Sequence, residues 1–207
     1  GKHMSEKTKT KKITKLSDLN QVNARQDKPT TLEQIIGGVY NKYDNLKIVH
    51  HSGNRGKGAA FLTGLSLAEG QFVIIQDADL EYSPQDYLKL MHAIRENNAD
   101  IVLGARFKES YHGLFIHRLG NRFLTALLNL LFHLELNDCL TCYKLFRRDK
   151  INALYLNEQT FTIEIEIVAK AAKKGFRLAE IPISYHPRSY AEGKKIRCKD
   201  GIRAIAS

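Results

Sequence analysis

Apolar positions recur along the chain with two periods, one typical of helices and one typical of strands. Two mainly apolar runs, at 72–75 and 100–104, have the composition of strands buried on both faces of a parallel sheet. Less continuous apolar segments predict further strands at 46–50, 141–146 and 176–185. Helical spacing predicts helices at 31–43, 57–69, 83–97, 116–132 and 163–174. The alternation of strands with helices predicts an α/β fold with a layered, mostly parallel sheet flanked by helices.

Glycine and proline residues mark several of the predicted ends. Gly70 follows the 57–69 helix and is expected to end it in the left-handed conformation that glycine favours. Gly175 is the expected stop of the 163–174 helix. Pro182 lies within the last predicted strand, which favours a position near a sheet edge because proline cannot donate a hydrogen bond to a neighbouring strand.

The segments outside this alternation differ from it in composition. Residues 1–30 are polar and carry no periodic apolar run, so they are predicted to be a cloning remnant, Gly1–Met4, and an irregular segment. Residues 31–186 are predicted to form the α/β domain. Residues 187–207 are basic and turn-rich, and they are predicted to be a loop or tail.

Charge and composition limit the classes of partner. Lysine and arginine outnumber aspartate and glutamate by 32 to 22, and the formal net charge of +10 favours an anionic partner. No nucleic-acid-binding module is recognisable, so we predict no nucleic-acid partner. No signal peptide or run long enough to span a bilayer is recognisable, and three cysteines form no disulfide framework. These features predict a cytoplasmic protein, with contact to the cytoplasmic face of a membrane left open.

The acidic segment after the 72–75 run carries candidate chemistry. Asp77 and Asp79 lie one residue apart just beyond a predicted strand end, and Glu81 follows. Ligands of open α/β sheets bind beyond the carboxyl ends of strands, and convergent carboxylates bind hard cations such as Mg²⁺ or Mn²⁺. A metal held there would neutralise charge on a departing diphosphate. An acidic turn that caps the next helix is the alternative.

Cations lie close to the same predicted edge. The turn before the 57–69 helix could face a phosphate with its backbone N–H groups, or it could be a structural glycine turn. It consists of Asn54, Arg55, Gly56, Lys57 and Gly58. Arg106 follows the 100–104 strand, and its guanidinium suits phosphate recognition. Arg118 and Arg122, one helical turn apart, form either a second cationic surface or a solvent-facing one.

The 116–132 helix has a strongly apolar face beside those arginines. It consists of Phe123, Leu124, Leu127, Leu128, Leu131 and Phe132. Such a face is typical of core packing, and contact with a membrane surface is the alternative. Cys139 and Cys142 form a lone C-x-x-C, for which two small half-buried side chains are favoured over a zinc or redox site.

Six motifs occur in order within residues 44–207. They are Asn54–Ala60, Asp77–Pro84, Ala99–Phe107, Asp138 with Thr141–Lys144, Phe161 with Glu164 and Glu166, and Glu180–Tyr185 with Arg188 and Glu192–Lys195. Together they resemble the motifs of the dolichyl-phosphate mannose synthase and glucosyltransferase group of glycosyltransferase family 2. The resemblance implies a GT-A fold and metal-dependent, inverting transfer of a hexose from a nucleoside-diphosphate sugar to a polyprenyl phosphate. It implies no protein nucleophile, because the acceptor phosphate is already anionic.

The resemblance also implies roles for individual residues. Asp77 and Asp79 match the metal-binding pair, with Glu81 as a third ligand or donor contact, and Asp79 and Arg106 are the predicted catalytic residues. The donor phosphate group is Asn54, Arg55, Gly56, Lys57, Gly58, Arg188, Lys194 and Lys195. The position of Arg106 at a strand end and the helical spacing of Arg118 and Arg122, rather than the resemblance, assign these three residues to the acceptor phosphate. Asp138 and Glu164 are assigned to the sugar side, with a structural hydrogen bond or simple amphipathicity as alternatives for Glu164.

The N-terminal part departs from that group. Complete enzymes of this type begin with a Pro-x-Tyr-Asn-Glu-like turn and an Asp-Asp-x-Ser-x-Asp-x-Thr-like motif, each at a strand end, which bind the base and ribose of the donor. Neither is recognisable here, so the domain is predicted to be incomplete at its N-terminal end. The exposed sheet edge would then favour a homodimer or a missing partner segment. A truncated or non-catalytic homologue that acts as a binding subunit is the alternative function.

Overall fold

A computed structural model describes residues 45–78, 81–106 and 115–187. The chain divides into two compact units, Gly1–Ser52 and Gly53–Ser207. The described part of the first unit is irregular, so the prediction of a strand at 46–50 is wrong. Val49 is 53% exposed, and so short an apolar segment becomes a strand only when a neighbouring strand pairs with it. The predicted helix at 31–43 lies outside the described residues.

The second unit alternates strands and helices as predicted. Its elements are α1 (Lys57–Leu67), β1 (Phe72–Ile74), α2 (Asp86–Glu96), β2 (Ile101–Ala105), α3 (Phe115–Phe132), β3 (Lys144–Arg147), α4 (Arg148–Asn152), α5 (Ile163–Lys173) and β4 (Leu178–Pro182). Each predicted element of this unit is confirmed with shifts of a few residues at its ends. The short helix α4 was not predicted.

The described strands form one sheet in the order β1-β3-β2-β4. β3 pairs antiparallel with both β1 and β2, with Val73 opposite Phe146 and Val102 opposite Leu145. β2 and β4 are parallel, with Leu103 opposite Glu180. Three of the four described strands therefore run in one direction, and β3 alone runs against them. Pro182 ends β4 at one side of this order, as its inability to donate requires.

The core is built around β2, which is buried along its whole length. Leu90 and Ile94 of α2 and Ile163 and Ile167 of α5 are completely buried in the same apolar cluster. β1 is only partly buried, although its apolar run resembles that of β2. A continuous apolar run does not distinguish a central strand from one at the end of a strand order.

Two predicted helix stops have different outcomes. Gly175 takes the left-handed conformation, with φ 66°, one residue after Lys174, the C-cap of α5, and this prediction is confirmed. The prediction for Gly70 is wrong, because α1 already ends at Leu67 and Ala68 turns the chain into an extended conformation. Gly70 is not among the positive-φ residues of the described chain.

Candidate functional site

The carboxyl ends of β1 and β2 and the start of β3 meet at one edge of the sheet, because β3 runs opposite to both neighbours. Asp77 lies just beyond β1, Arg106 directly follows β2, and Asp138 lies in the turn that leads to β3. The structure thus brings three predicted site residues to one edge. Asp79, the predicted metal-binding partner of Asp77, lies outside the described residues.

Four charged side chains of alternating sign form a row at this edge. Lys57 donates a hydrogen bond to Asp77 Oδ2 at 3.0 Å, and its Nζ lies 2.8 Å from Glu164 Oε1. The other Glu164 oxygen accepts a hydrogen bond from the buried ammonium of Lys144, which also donates to the carbonyl of Thr141. The row therefore consists of Asp77, Lys57, Glu164 and Lys144, in that order, and its formal charges cancel.

The Lys57 ammonium is held in its charged form by the row. Burial alone would lower the pKa of Lys57, but the carboxylates of Glu164 and Asp77 outweigh burial and raise that pKa well above its ordinary value. Lys57 was predicted to bind the donor phosphate. In the structure its ammonium neutralises two carboxylates, and one of them is the predicted metal ligand Asp77.

The backbone at Asp77 is fixed by a hydrogen-bonded side chain that sequence reasoning did not assign. Gln76 donates from its amide to the carbonyl of Asp77 at 2.6 Å. Its amide oxygen accepts hydrogen bonds from the hydroxyls of Tyr87, at 2.7 Å, and Tyr143. The two rings also pack against each other, with centroids 5.4 Å apart. Gln76 therefore ties the strand end to α2 and to the segment before β3.

The glycine-rich turn before α1 packs against the chain at 158–160. A Cβ atom at Gly56 or Gly58 would lie less than 3.0 Å from backbone oxygens of that segment, and Gly56 also has φ 89°. The Gly56 N–H donates to Asn54 Oδ1 at 2.9 Å, and the Ala59 N–H donates to the Gln159 carbonyl at 3.1 Å. These contacts match the structural alternative for the turn, and Arg55 is exposed beside it.

Arg106 and Asp138 form a two-pronged ion pair. Arg106 Nε lies 2.7 Å from Asp138 Oδ2, and its terminal nitrogen lies 2.8 Å from Oδ1. Asn121 of α3 also donates to Oδ1 at 2.8 Å. Burial alone would raise the pKa of Asp138, but Arg106 and Asn121 together lower it below its ordinary value. The predicted phosphate ligand and the predicted sugar contact are thus direct partners.

Glu81 and Arg106 share a contact with Tyr185, an aromatic residue near the end of the described chain. The hydroxyl of Tyr185 donates to Glu81 Oε2 at 2.7 Å, and the Arg106 guanidinium lies 5.3 Å from the centre of the Tyr185 ring. The backbone carbonyl of Glu81 accepts from His186 N–H at 2.9 Å. Glu81 is buried.

Asp77 fits one ligand of a hard divalent cation. Within the ranges that the structure describes, no group of three or more His, Cys, Asp or Glu side chains could hold a metal ion. The Asp77 side chain is 32% exposed at the strand end, and an ammonium already stands 3.0 Å from it in the place of a cation. Its oxygen donors suit Mg²⁺ or Mn²⁺.

The two cysteines of the C-x-x-C pair are free thiols and are both buried. Burial raises the pKa of Cys139 to about 11 and that of Cys142 to about 12. Both thiols therefore stay protonated at neutral pH, which agrees with the structural interpretation. They are more deeply buried than the half-buried pair that the sequence predicted.

Helix α3 faces the protein with one side and leaves much of its other side open. Asn121, Leu124, Thr125 and Leu128 are buried, and Thr125 accepts from Cys139 N–H at 3.1 Å. Among the side chains of α3 that the structure describes, from residue 118 onwards, the exposed large apolar ones are Leu119, Phe123, Leu127, Leu130 and Leu131. Arg118 is half-buried and Arg122 is exposed. In the described ranges, none of the helices has the length and apolar character that crossing a membrane requires.

Several site predictions fall on residues that the structure does not describe. Arg188, Lys194 and Lys195 lie there together with Asp79. Gln76 and Lys144 are among the described site residues to which the sequence assigned no individual role. A lysine inside the apolar segment Cys142–Phe146 was a usable signal, because a buried lysine needs a counter-charge. Nothing in the sequence pointed to the Gln76 hydrogen bonds.

Curated proteins with similar sequences include a hexosyltransferase and a polyprenol monophosphomannose synthase. The low-salt glycan biosynthesis hexosyltransferase Agl6 of Haloferax volcanii is 28% identical over 167 residues, which are 78% of this chain and 40% of that protein. The polyprenol monophosphomannose synthase of Mycolicibacterium smegmatis is 25% identical over 164 residues, 73% of this chain and 60% of that protein. The aligned part of the chain thus spans about half the length of these relatives.

Solved structures show the same fold at low sequence identity. Glucosyl-3-phosphoglycerate synthase from Mycobacterium tuberculosis aligns with a TM-score of 0.56 and 18% identity, over 73% of this chain and 53% of that chain. The same synthase in complex with Mn²⁺, uridine diphosphate and phosphoglyceric acid aligns with a TM-score of 0.52 and 19% identity, over 67% and 49%. These likenesses confirm an α/β fold of the GT-A type.

The match to a protein family covers more than half of the chain. Residues 26–155 match the family described as Glycosyl transferase family 2. The matched range includes α1 to α4, all of the described strands except β4, and the predicted metal ligands Asp77 and Asp79. It also includes the Arg106–Asp138 pair. The chain therefore belongs to glycosyltransferase family 2.

Proposed function

We propose that this chain transfers a hexose from a nucleoside-diphosphate sugar to a polyprenyl phosphate, with Mg²⁺ or Mn²⁺ as cofactor. The observation that carries the proposal is the position of Asp77, a partly exposed carboxylate at the carboxyl end of β1. Its backbone is fixed by Gln76, and such strand ends are where α/β sheets bind ligands. Support for the acceptor comes from the polyprenol monophosphomannose synthase to which the chain is similar.

The metal, when bound, would neutralise charge on the diphosphate as it leaves. Asp77 would hold it together with Asp79, and Glu81 remains a candidate for a third ligand or a donor contact. The family resemblance assigns the donor phosphates to the cations of Asn54–Gly58 and to Arg188, Lys194 and Lys195. Lys57 already neutralises two carboxylates. We therefore assign the donor phosphates to the other cation of that turn, Arg55, which is exposed.

The acceptor would approach from the side of Arg106. Asp138 fixes the plane of the guanidinium through two hydrogen bonds, and Arg118 and Arg122 on α3 supply further positive charge. A phosphate oxygen of the acceptor is already anionic at neutral pH, so the reaction needs no general base. This phosphate oxygen would attack the sugar carbon that bears the diphosphate, the bond from that carbon to the diphosphate would break, and the configuration at the carbon would be inverted. Positioning and charge stabilisation would then supply the catalysis.

A polyprenyl acceptor resides in a membrane, and the exposed apolar residues of α3 are the surface that we assign to membrane contact. Leu130 is 75% exposed and Phe123 is 57% exposed, with Arg122 beside them for the acidic headgroups. We accordingly place this chain at the cytoplasmic face of a membrane.

Transfer of labelled hexose tests the proposal. The chain is incubated with UDP-glucose or GDP-mannose, polyprenyl phosphate in detergent, and Mn²⁺, and labelled lipid is extracted. Asp77→Asn is expected to lower kcat/KM about a hundredfold or more, because it removes a charged metal ligand. Asp149→Asn, an exposed carboxylate at the start of α4, is the control. Transfer that persists in chelator, or that survives Asp77→Asn unchanged, would overturn the metal-dependent mechanism.

The alternative is a non-catalytic subunit that binds the same ligands. The absence of recognisable base- and ribose-binding motifs in residues 1–47 favours it. Saturable binding of the nucleotide sugar with Mn²⁺, without any labelled lipid product, would support this alternative. Transfer activity that appears only with a second protein and is abolished by Asp77→Asn would instead identify the chain as the metal-binding part of a larger enzyme.

A further inference from the structure

Lys57 has two acceptors, and the structure distinguishes them by geometry. Its ammonium makes a directed hydrogen bond to Asp77 Oδ2 at 3.0 Å. Glu164 Oε1 lies as close, at 2.8 Å, but as an ion pair without directed hydrogen-bond geometry. The Glu164 side chain is only 4% exposed, so water does not easily satisfy this oxygen. A buried carboxylate oxygen without a directed donor is unusual, because such atoms are normally hydrogen-bonded.

We propose that Lys57 is a positioning residue that holds Asp77 in the absence of metal and turns to Glu164 Oε1 when a divalent cation takes Asp77. The proposal rests on the proposed function, in which Asp77 is a metal ligand. Lys57 then acts as a resident cation in competition with the metal. Glu164 is its second site, already within reach. The Lys57 ammonium therefore needs only a small rotation to leave Asp77.

The residues around Lys57 would confine the change of partner to side chains, because Glu164 and the backbone at Asp77 are each held by other contacts. Lys144 neutralises the far oxygen of Glu164 and is itself bound to the Thr141 carbonyl. Glu164 lies in the first turn of α5 and is buried, so its carboxylate is a fixed acceptor. Gln76 holds the carbonyl of Asp77 independently of Lys57. The loop can therefore keep its backbone position while the side-chain carboxylate changes its partner from ammonium to metal.

Substitution of Lys57 and substitution of Glu164 are expected to change the affinity for Mn²⁺ in opposite directions. Lys57→Met removes the competing cation and is expected to tighten Mn²⁺ binding about three- to tenfold. Glu164→Gln replaces the second carboxylate with a neutral, weaker acceptor and removes a nearby negative charge, so Lys57 stays on Asp77 and Mn²⁺ binding weakens by a similar factor. A purely structural role for Lys57 predicts the reverse for Lys57→Met, because a loosened Asp77 would bind metal less well.

The test titrates Mn²⁺ alone against the full chain and follows the signal of free Mn²⁺ by electron paramagnetic resonance. Thermal unfolding of each variant shows that it is folded, and Lys57→Gln replaces Lys57→Met if the methionine variant does not fold. Lys150→Met is the matched control. It removes the same charge beyond the end of β3, at the sheet edge opposite to Asp77, and its ammonium pairs with Asp100.

The outcomes separate this inference from the function on which it rests. Mn²⁺ binding that is lost in Asp77→Asn, tightened by Lys57→Met and weakened by Glu164→Gln supports the exchange. Binding that depends on Asp77 but is unchanged or weakened by Lys57→Met overturns the exchange and leaves the metal site intact. Binding that is the same in wild type and Asp77→Asn overturns the metal site itself, and with it both proposals.

Discussion

The Asp138 carboxylate is fully enclosed, and its charge is stable there because Arg106 and Asn121 surround it. A buried ion pair of this kind adds little net stability compared with apolar packing, but the loss of one partner leaves the other charge uncompensated. The lowered pKa of Asp138 shows that the pair favours the ionised form despite burial. The pair thus fixes the direction of Arg106 as long as Asp138 remains charged.

Asp138→Asn is expected to lower the free energy of unfolding by about 3 kcal/mol at neutral pH, because Arg106 loses its counter-charge. The folded pKa of Asp138 lies below its unfolded value. The contribution is therefore complete above an unfolded pKa of about 3.9 and is lost as the pH falls through the lower folded value. Urea unfolding of wild type and variant from about pH 7 to pH 3 measures this difference.

The exposed Asp149 at the start of α4 offers the matched control for that experiment. Asp149→Asn removes the same charge from the surface and is expected to change the unfolding free energy by about 0.5 kcal/mol or less. A difference between wild type and Asp138→Asn that does not shrink in acid would contradict the assigned ion pair.

Sequence reasoning named several residues that the structure brings into contact, but it did not predict the contacts between them. Asp77, Lys57 and Glu164 were each placed in the site by motif or by position at a strand end, with separate roles on metal, phosphate and sugar. The structure joins them in one row. Glu164 is 107 residues from Lys57 in the chain. Such a contact depends on how α1 and α5 pack, which periodicity and local motifs do not specify.

In the turn before α1, the absence of side chains at two glycines determines where the helix packs. Gly56 and Gly58 allow the start of α1 to lie directly against the backbone at 158–160, and the Ala59 N–H donates to the Gln159 carbonyl. A side chain at either glycine would force the two segments apart. Because Lys57 lies between these glycines, the close approach also determines where its ammonium reaches the sheet edge.

Gly58→Ala is expected to destabilise the chain by about 1–3 kcal/mol, since the new methyl group would overlap a backbone oxygen that cannot move easily. Gly64→Ala, in the middle of α1, meets no atom within 4 Å. It should stabilise the chain by about 0.5–1 kcal/mol, because alanine loses less backbone entropy in a helix. Chemical denaturation measures both. Equal effects of the two substitutions would contradict the packing explanation.

The ends of α3, α5, β1 and β2 were predicted to within one residue, whereas other elements were predicted less closely, for a physical reason. α3 and α5 begin and end within one residue of their predicted ranges, because several turns of apolar spacing carry a strong signal. A strand depends on a partner that the local sequence does not name. Residues 46–50 have a strand-like composition but form no strand, and the antiparallel direction of β3 was not predicted.

For the molecule as a whole, α3 connects the site edge to the exposed apolar surface. Asn121 on one side of the helix binds Asp138, the partner of Arg106, and Phe123, two residues further, is exposed. The thickness of one helix therefore separates the proposed acceptor site from the proposed membrane contact. Apolar spacing predicted this helix, but its sequence alone did not show which leucines pack inward and which remain exposed.

A membrane contact through α3 predicts that Phe123→Ser with Leu130→Ser weakens binding to phosphatidylcholine–phosphatidylglycerol vesicles about tenfold or more, because two exposed apolar side chains leave the interface. Leu88→Ser is the control, since Leu88 is 67% exposed on α2 and lies outside that surface. Sedimentation with vesicles at low and high salt separates the apolar part from the contribution of Arg118 and Arg122, which salt screens. Because all three substituted residues are exposed, none should lower the thermal stability appreciably. Equal loss in the double variant and in Leu88→Ser would contradict a specific role of α3. Vesicle binding unaffected by either would show that α3 is not the membrane contact, and no vesicle binding by the wild-type chain would remove the membrane from the proposed function.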